Sequence, residues 1–466
     1  LIPSISISIL KHHNQEEQYT APLSDARCKY FVVLNKISSM LIRRQYPLIV
    51  GGRSKVFFQH KRLPVVQLQP HFFCSALENS RSKKFSTSGP NGSNECTFVT
   101  GEVLDSSIDL RKCRPGDKIE IPYELTVSPG FESFWHSCFY SNERLHTSTP
   151  FARGLGFQGQ VLPFALALFL ASAMSHADQA RTQLGWARAR YHWPAFAGDT
   201  FRKTLRVAAV RPTQDGRSSV ITFECLLKNQ RDRLCFSCLK SMLFPFPVEA
   251  TNYVAPFSPE TYETPLREHI MSRAEQLVTL GNQSLLRLHQ GQVILHRMVR
   301  PLTGTAAMQL ASTARLTHAR HFNLRRYQPH EIFVPGGCIY GLLSSNTSQE
   351  FHEVLLEELE WAAFLNPVHP GETVGALSMV RGVRDLPGPG RLQEMAVRTL
   401  AVKALDPAHD LIDKPLPLEL FTATGLSPKK VEAICEEYCP LLSKKIVVQA
   451  DRHIIRQAPE TEHFLL

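Results

Sequence analysis

Two histidines stand three positions apart in the segment "LTHARHFN" at 316–323. Histidine changes charge near neutral pH, so His318 and His321 are candidates for general acid–base chemistry. If the segment is extended, residues three apart project to opposite faces, and we expect only one of the two rings to reach a given site. No Asp or Glu occurs between Pro301 and His330. The histidines therefore have no nearby carboxylate in the sequence.

Two cysteine pairs have spacings that also occur in metal or redox sites. Cys235 and Cys238 form a lone CxxC within an apolar, alternating segment, and Cys435 and Cys439 lie one helical turn apart. Neither pair has a second pair to complete a ligand set, so packing within a strand and a helix is the favoured interpretation. We predict no metal site. Eleven cysteines scattered without a framework fit a reducing compartment.

The elements that would position these residues are one apolar helix per half and several alternating strands. The longest apolar run, at 161–174, is too short to span a bilayer and predicts a buried helix; no membrane span is expected. Alternating segments at 201–210, 218–229 and 233–244, joined by polar turns, predict an antiparallel meander. A buried helix followed by such a meander indicates an α+β fold.

An internal repeat relates the two halves of the chain. Gly116 in "RPGDKIEI" matches Gly291 in "HQGQVILH", an offset of 175. Pro194, followed by Gly-Asp-Thr at 198–200, matches Pro367, followed by Gly-Glu-Thr at 371–373. Landmarks in the same order at nearly one offset predict a duplicated domain.

We predict three regions from this pattern. Residues 1–95 form a basic N-terminal extension ending in a Ser/Gly/Asn-rich linker, 96–250 the first domain and 251–466 the second. An insertion at about 406–443 interrupts the second copy. Within it, Ser427-Pro428 predicts the N-cap and first residue of a helix reaching Cys439.

Most of the positive charge belongs to the N-terminal extension. The whole chain carries +10, and residues 1–95 hold thirteen Lys/Arg against five Asp/Glu. From Met40 to Leu77 the segment is basic, free of acidic residues and interleaved with apolar ones, as is typical of a mitochondrial presequence. We expect Met40 to be the start residue and the protein to act in the mitochondrial matrix.

A second interpretation of the extension is a solvated basic arm that binds nucleic acid. The two interpretations are compatible, because a mature arm can remain after cleavage. In the second interpretation the phosphate-binding candidates are the cations of the acid-free segment, Arg43, Arg44, Arg53, Lys55, Lys61 and Arg62.

Both halves contain an ordered set of motifs: "TSTPFARGLGF" (147–157), "GWARARYHWPAFAGDTF" (185–201), Asn229-Gln230, "ARHFN" (319–323), "IFVPGG" (332–337) and "HPGETV" (369–374). This set resembles the MaoC-like branch of the hotdog superfamily, and in particular its two-domain mesaconyl-CoA hydratase (β-methylmalyl-CoA dehydratase) type. The resemblance covers about 96–405 and the last strand. It implies tandem hotdog domains, each an antiparallel sheet wrapped around a central helix, and hydration of acyl thioesters.

The resemblance implies a carboxylate or carboxamide residue five positions before a catalytic histidine. His321 matches the histidine, but Leu316 occupies the partner position. In the first copy, the offset aligns His146 with His321 and Ser141 with Leu316; Glu143 lies near His146 at a different spacing. Neither copy keeps the pair, so an inherited fold with a degenerate catalytic centre is the favoured hypothesis.

The resemblance also implies that backbone N–H groups at the start of the central helix bind the thioester carbonyl. Gly336 and Gly337, and Gly159 in the first copy, stand at the expected positions. Glycine would let the ligand approach the backbone closely. A tight turn that needs glycine for its own φ and ψ explains the same residues equally well.

Three functional hypotheses follow. The first is a degenerate hydratase homologue serving as a structural subunit of a large mitochondrial assembly, with the mitochondrial ribosome as the leading candidate and RNA contact through the basic extension. The second is an active hydro-lyase that acts on acyl thioesters of CoA or acyl carrier protein, with His321 as proton handler. The third is a hotdog that binds acyl-CoA without turnover. No cofactor is expected, since acyl-CoA would be a substrate only.

Overall fold

The computed structural model describes residues 83–84, 97–98, 100–104, 108–173, 178–248 and 262–459. The six cations proposed for nucleic-acid binding, Arg43 to Arg62, lie outside the described residues. Two compact units are found, Leu1–Glu102 and Val103–Leu466. In the first, β1 (Lys83–Lys84) pairs antiparallel with β2 (Thr97–Phe98). The domain limits drawn from the sequence stay predictions.

The second unit contains a single large antiparallel sheet. Its strand order is β3-β5-β6-β7-β4-β10-β13-β12-β11-β8, with β9 paired to β11. The order is a mirror image about the β4–β10 pair, so each repeat copy supplies five equivalent strands. The strands are β3 (Lys118–Thr126), β4 (Thr182–Tyr191), β5 (Thr200–Pro212), β6 (Ser219–Lys228), β7 (Leu234–Phe244), β8 (Val293–Leu295), β9 (Arg300–Pro301), β10 (Val354–Phe364), β11 (Thr373–Asp385), β12 (Leu392–Lys403) and β13 (Ile446–Gln457).

The helices lie between these strands and at their ends. They are α1 (Pro129–Cys138), α2 (Arg144–Thr147), α3 (Thr149–Gly154), α4 (Phe164–Ala173), α5 (Pro265–Ser272), α6 (Ala274–Leu280), α7 (Gly304–Thr313), α8 (Gly336–Phe351), α9 (Pro407–Asp410), α10 (Glu419–Thr422) and α11 (Pro428–Tyr438). Short 3-10 turns occur at Leu110–Lys112, Ala319–His321, Pro329–Glu331 and Pro440–Leu442. No helix of the described residues is long and apolar enough to cross a membrane.

The repeat inferred from the sequence is visible in matching turns. Gly116 and Gly291 both have positive φ, 97° and 84°. The backbone N–H of Gly116 donates to the Val207 carbonyl at 2.7 Å, and that of Gly291 donates to the Val380 carbonyl at 2.8 Å. Each glycine thus connects the turn before the first strand of its copy to a long strand, which is β5 in the first copy and β11 in the second. Positive φ explains why glycine recurs at both positions.

Two central helices, α4 and α8, pack against each other and against the sheet. All ten residues of α4 are buried, as the apolar run predicted. Thirteen of the sixteen residues of α8 are buried as well, although five of them are polar or charged. The rings of Phe164 and Tyr340 lie 6.1 Å apart between the helices.

Gly337 sits where the two central helices approach most closely. A Cβ built on it would lie 2.9 Å from the Cα of Phe169, a backbone atom that cannot rotate away. Gly337→Ala is therefore expected to lower the free energy of unfolding by about 1–3 kcal/mol, despite the better helix propensity of alanine. Gly130→Ala is the matched control, because its Cβ would lie 3.7 Å from the Ser128 Oγ. Urea denaturation measures the free energy of unfolding of both variants. Equal values for Gly337→Ala and Gly130→Ala would contradict the close packing at Gly337.

The insertion predicted at about 406–443 corresponds to α9, α10, α11 and the turn Pro440–Leu442, all between β12 and β13. The equivalent connection in the first copy is a short turn between β6 and β7. Helix α11 begins at Pro428 behind the Ser427 N-cap, as predicted. The buried Arg398 anchors the segment: it pairs with Asp451 and donates to the carbonyls of Leu420 and Ala423.

Candidate active site

His321 is held at the end of a 3-10 turn, with one ring nitrogen committed to the backbone. Its Nδ1 lies 2.9 Å from the Phe333 carbonyl oxygen. A carbonyl can only accept, so Nδ1 carries the proton and Nε2 is left as an acceptor. Burial lowers the pKa of His321 to about 4. The imidazole is thus neutral at pH 7 and has the protonation state of a general base.

The prediction that His318 and His321 point to opposite faces is wrong. The segment is not extended: Ala319–His321 forms a 3-10 turn, in which residues three apart eclipse one another. The two rings lie 5.8 Å apart and line the same cavity. His318 is nevertheless no second proton handler. Its Nδ1 accepts from the Arg320 N–H at 3.2 Å, and its Nε2 donates to the Ala180 carbonyl at 2.8 Å.

The cavity beside His321, here called the seam pocket, has a volume of about 440 Å³. Both copies of the repeat line it. The first contributes residues of α4, β4 and β7, and the second contributes His321, the start of α8 and the end of β10. Most of the wall is apolar, including Phe169, Leu184, Met242, Val334, Ile339 and Phe364. A concave, mainly apolar pocket with a few polar groups is typical of a ligand site.

Leu316 lines the seam pocket with an apolar side chain. The position five residues before His321 therefore reaches the site, but it presents no group that can take or orient a proton. Among the described residues, the carboxylate that lines this pocket is Asp178. Asp178 accepts from the Thr317 hydroxyl at 2.8 and 2.6 Å, and not from His321.

The start of helix α8 forms another wall of the seam pocket. Gly336 and Gly337 are its first two residues, and both line the cavity. The first N–H groups of a helix lack intrahelical acceptors, so these amides can receive an oxyanion. Neither glycine has positive φ, which removes the turn explanation left open by the sequence. Close contacts explain them instead: a Cβ on Gly336 would lie 2.8 Å from the Phe364 ring.

Comparison with known proteins identifies the fold and the family. No family model matches the chain. The chain is 25% identical over 316 residues to the beta-methylmalyl-CoA dehydratase of Chloroflexus aurantiacus, spanning 64% of this chain and 88% of the relative. It is 27% identical over 150 residues to the mesaconyl-CoA hydratase of Cereibacter sphaeroides, spanning 32% of this chain and 44% of that relative.

Two solved structures share the fold. A MaoC domain dehydratase from Chloroflexus aurantiacus superposes with a TM-score of 0.60 at 20% identity, over 77% of this chain and all of that one. A double-hotdog protein from Mycobacterium tuberculosis gives 0.55 at 15% identity, over 74% and 97%. The chain belongs to the MaoC-like hotdog superfamily. The prediction of an α+β tandem hotdog is confirmed.

The first hotdog has a histidine, His146, at the position that the repeat aligns with His321, but it lacks a pocket of comparable size. The Nδ1 of His146 lies 2.8 Å from the Val161 carbonyl oxygen, matching the His321–Phe333 contact. The cavity beside His146, here called the closed pocket, has a volume of only about 40 Å³. That space holds a few water molecules at most. Large side chains fill the rest, among them Trp135, Phe139, Tyr140, Phe164 and Phe351.

Gly159 does not stand at the start of the first hotdog helix, so its predicted role there is wrong. The helix begins at Phe164 after Pro163, in the arrangement that Pro335 and Gly336 show in the second copy. The first copy thus has a phenylalanine where the second has a glycine. The Phe164 side chain is buried and lines the closed pocket.

A carboxyl group does face the closed pocket. Glu143 lines it together with Ser141 and His146, and it accepts from the hydroxyls of Ser141 and Ser348. Burial raises the pKa of Glu143. The first hotdog therefore holds a histidine and a carboxyl group without space for an acyl chain. The second has the space, and the Asp178 carboxylate that lines it accepts from Thr317 and not from His321.

Lys240 was missed in the sequence and lines the seam pocket. It lies on β7 of the first hotdog, is 5% exposed and donates from Nζ to the Ser172 carbonyl at 3.0 Å. Burial lowers its pKa. The strand alternation was the available signal, because it places Lys240 on the same inward face as Cys238 and Met242.

Acid should destabilise the protein through His146 and His321. Burial lowers the pKa of each to about 4, against about 6.5 in an unfolded chain. Between these values the unfolded chain binds more protons, so the stabilisation is complete above pH 6.5 and is lost as the pH falls towards 4. Both rings retain partial exposure, which limits each contribution to about 1–2 kcal/mol. The loss of unfolding free energy between pH 7 and pH 4.5 should be smaller in His146→Gln and in His321→Gln than in the wild type. The same loss in the variants and the wild type would refute this account.

Proposed function

We propose that this protein is a catalytically degenerate homologue of MaoC-like hydratases that still binds an acyl thioester in the seam pocket. One observation carries the proposal. The pocket is open and keeps His321 and the start of α8, yet the side chain at the position of the catalytic partner is Leu316. The binding site is retained, and half of the proton-handling pair is absent.

The pocket suits an acyl thioester in shape and polarity. Gly336 and Gly337 start α8 and line the pocket, so their N–H groups would be the donors for the negative charge that develops on a thioester carbonyl. The apolar wall, with Leu184 and Val334 among its residues, would cover the acyl chain. Lys240 and the rim residue Arg320 add positive charge, which favours a phosphorylated carrier such as CoA or the prosthetic group of acyl carrier protein.

Hydration of an enoyl thioester needs a base for water and an acid for the α-carbon. The neutral His321 can accept a proton at Nε2. No carboxylate among the described residues contacts this ring, so it lacks a partner to share the proton transfers. Loss of general acid–base catalysis typically costs about 10²–10⁴-fold in rate, and this factor separates binding from turnover.

The proposal is tested by measuring binding and turnover on the same preparation. Calorimetry with crotonyl-CoA and mesaconyl-CoA should show binding, and Leu184→Trp, which fills the pocket, should abolish it. Leu418→Trp is the control, because Leu418 is 60% exposed and does not line the pocket. Rapid hydration of either thioester, lost in His321→Ala, would establish an active hydratase and overturn the degenerate assignment.

We further propose that the protein serves as a structural subunit of a large mitochondrial assembly, with the mitochondrial ribosome as the first candidate. The supporting observation is the charge of residues 1–95, which carry most of the net +10 of the chain. Such an arm would bind phosphate backbones without sequence specificity.

Incubation with purified mitochondrial ribosomal subunits, followed by sedimentation, tests this role. The protein should co-sediment, and the affinity should fall steeply with salt. A variant with glutamine at the six cations, Arg43, Arg44, Arg53, Lys55, Lys61 and Arg62, should bind more weakly with a shallower salt dependence. Absence from the ribosomal fractions at physiological salt would reject this assembly.

A further inference from the structure

Two buried cysteines face each other across neighbouring strands of the first hotdog. Cys225 of β6 and Cys238 of β7 are direct antiparallel partners. They are 0% and 1% exposed, and both are free thiols. Directly opposite residues in an antiparallel pair have Cβ atoms about 4.5–5.5 Å apart, a separation from which a small adjustment permits a disulfide.

Two buried lysines flank this pair. Lys203 of β5 is 1% exposed, and its Nζ finds no hydrogen-bond partner among the described residues. Lys240 of β7 is the pocket residue whose Nζ contacts the Ser172 carbonyl. The groups that interact electrostatically with Lys203 are Cys225, Cys238 and Lys240, and no carboxylate is among them.

A buried ammonium without a counter-ion is costly, so its surroundings favour any group that can become an anion. Among the described residues, the acids that interact with Lys203 are the two thiols, and burial lowers the pKa of Lys203 to about 7. The Cys238 thiol and the two lysines lower the pKa of Cys225 to about 7, against the effect of burial. The pKa of Cys238 is raised, chiefly by its hydrogen bond with Cys225. Lys203 lies on β5, the strand next to Cys225, whereas Cys238 lies one strand further away, and on this geometry we assign the thiolate to Cys225.

The seam pocket lies close to these sulfurs, neither of which lines it. Lys240 lines the pocket, and Cys238 lies two residues earlier on the same face of the same strand. Two residues along a strand span about 7 Å. The two thiols therefore lie about one residue row away from Lys240, which forms part of the pocket wall.

We propose that Cys225 and Cys238 form a peroxide-sensitive dithiol next to the seam pocket, with Cys225 as the attacking sulfur and Cys238 as the resolving one. The Cys225 thiolate attacks a hydroperoxide, breaks its O–O bond and becomes a sulfenic acid, and the released alkoxide or hydroxide takes up a proton. The Cys238 thiol then displaces the sulfenic oxygen as water and closes the disulfide. Two thiols and one hydroperoxide give one disulfide, one alcohol or water, and one further water. This inference does not depend on the proposed acyl-thioester binding.

The first test is site-resolved oxidation of the full chain with limiting hydrogen peroxide, followed by alkylation and peptide mass spectrometry. The Cys225–Cys238 disulfide should form at least about tenfold faster than oxidation of Cys435, which is equally buried and whose pKa is raised to about 12. Cys435→Ser should leave the rate unchanged. Peroxide consumption spread evenly over the other cysteines would overturn the proposal.

Two variants assign the individual roles. Cys238→Ser should trap a sulfenic acid at Cys225 that a dimedone probe labels, and Cys225→Ser should abolish both the labelling and the disulfide. Lys203→Met, confirmed as folded by circular dichroism, should slow the oxidation of Cys225 at pH 7 by about tenfold, because it removes the neighbouring cation. Equal oxidation rates in folded Lys203→Met and wild type, or no dimedone adduct in Cys238→Ser, would reject the assignment.

Discussion

Leu316→Asp is expected to raise the rate of enoyl-CoA hydration by about 10²-fold or more over the wild type. The side chain at 316 already lines the seam pocket, as does His321. A carboxylate there supplies the missing partner, which can share the proton transfers and orient the attacking water. Spectrophotometric hydration assays with crotonyl-CoA and mesaconyl-CoA measure the gain.

Three controls make the Leu316→Asp result specific. His321→Ala in the Leu316→Asp background should remove the gain, since the pair acts as a unit. Leu316→Asn should recover part of it, because the MaoC-like pattern admits a carboxamide. Ser141→Asp in the first hotdog should give no activity, because the closed pocket has only about 40 Å³ of free volume. An inactive, well-folded Leu316→Asp that still binds acyl-CoA would show that more than one group has been lost.

The second large effect concerns a buried ion pair on the wall of the closed pocket. Arg452 donates from Nε to Glu357 at 2.8 Å, and Nη1 contacts the Thr347 hydroxyl at 3.1 Å. The Tyr340 hydroxyl donates to the same glutamate. Both charged side chains are almost fully buried. Arg452→Met alone, or Glu357→Leu alone, should lower the free energy of unfolding by about 3–5 kcal/mol, because each leaves one buried charge unpaired.

The double variant separates the attraction of the pair from the cost of burying it. Arg452→Met combined with Glu357→Leu should cost clearly less than the sum of the single changes, because no uncompensated charge remains. The exposed pair Lys118–Glu120 is the matched control, and its removal should change stability by less than about 1 kcal/mol. Strictly additive losses at Arg452 and Glu357 would mean that the two side chains act independently.

Much of the fold could be predicted because it rests on local patterns. The apolar run that became α4, the Ser427-Pro428 helix start and the repeated glycine turns each depend on chemistry within a few residues. The site was harder to predict. His318 was expected to face away from His321, since the sequence does not show that Arg320 closes a 3-10 turn on the His318 ring.

At the glycines, the sequence could not show the packing that surrounds each helix start. Gly159 was placed at the helix start because a glycine was expected there, whereas the first hotdog starts its helix with Phe164 and fills the space with rings. Gly336 was explained by ligand approach or turn geometry, and the contact with Phe364 supplies a third reason. A sequence motif with fixed spacing does not reveal these contacts.

The sequence by itself indicated that the chain is a duplicated hotdog, and it led to the hypothesis that Leu316 occupies the place of a proton-handling residue, because both depend on residue type at a fixed position along the chain. Only the tertiary structure decided which hotdog keeps an open pocket, and that Lys240 of the first hotdog lines it beside His321 of the second. Free volume and the approach of side chains from different copies are set by the whole packed sheet. They belong to no single segment.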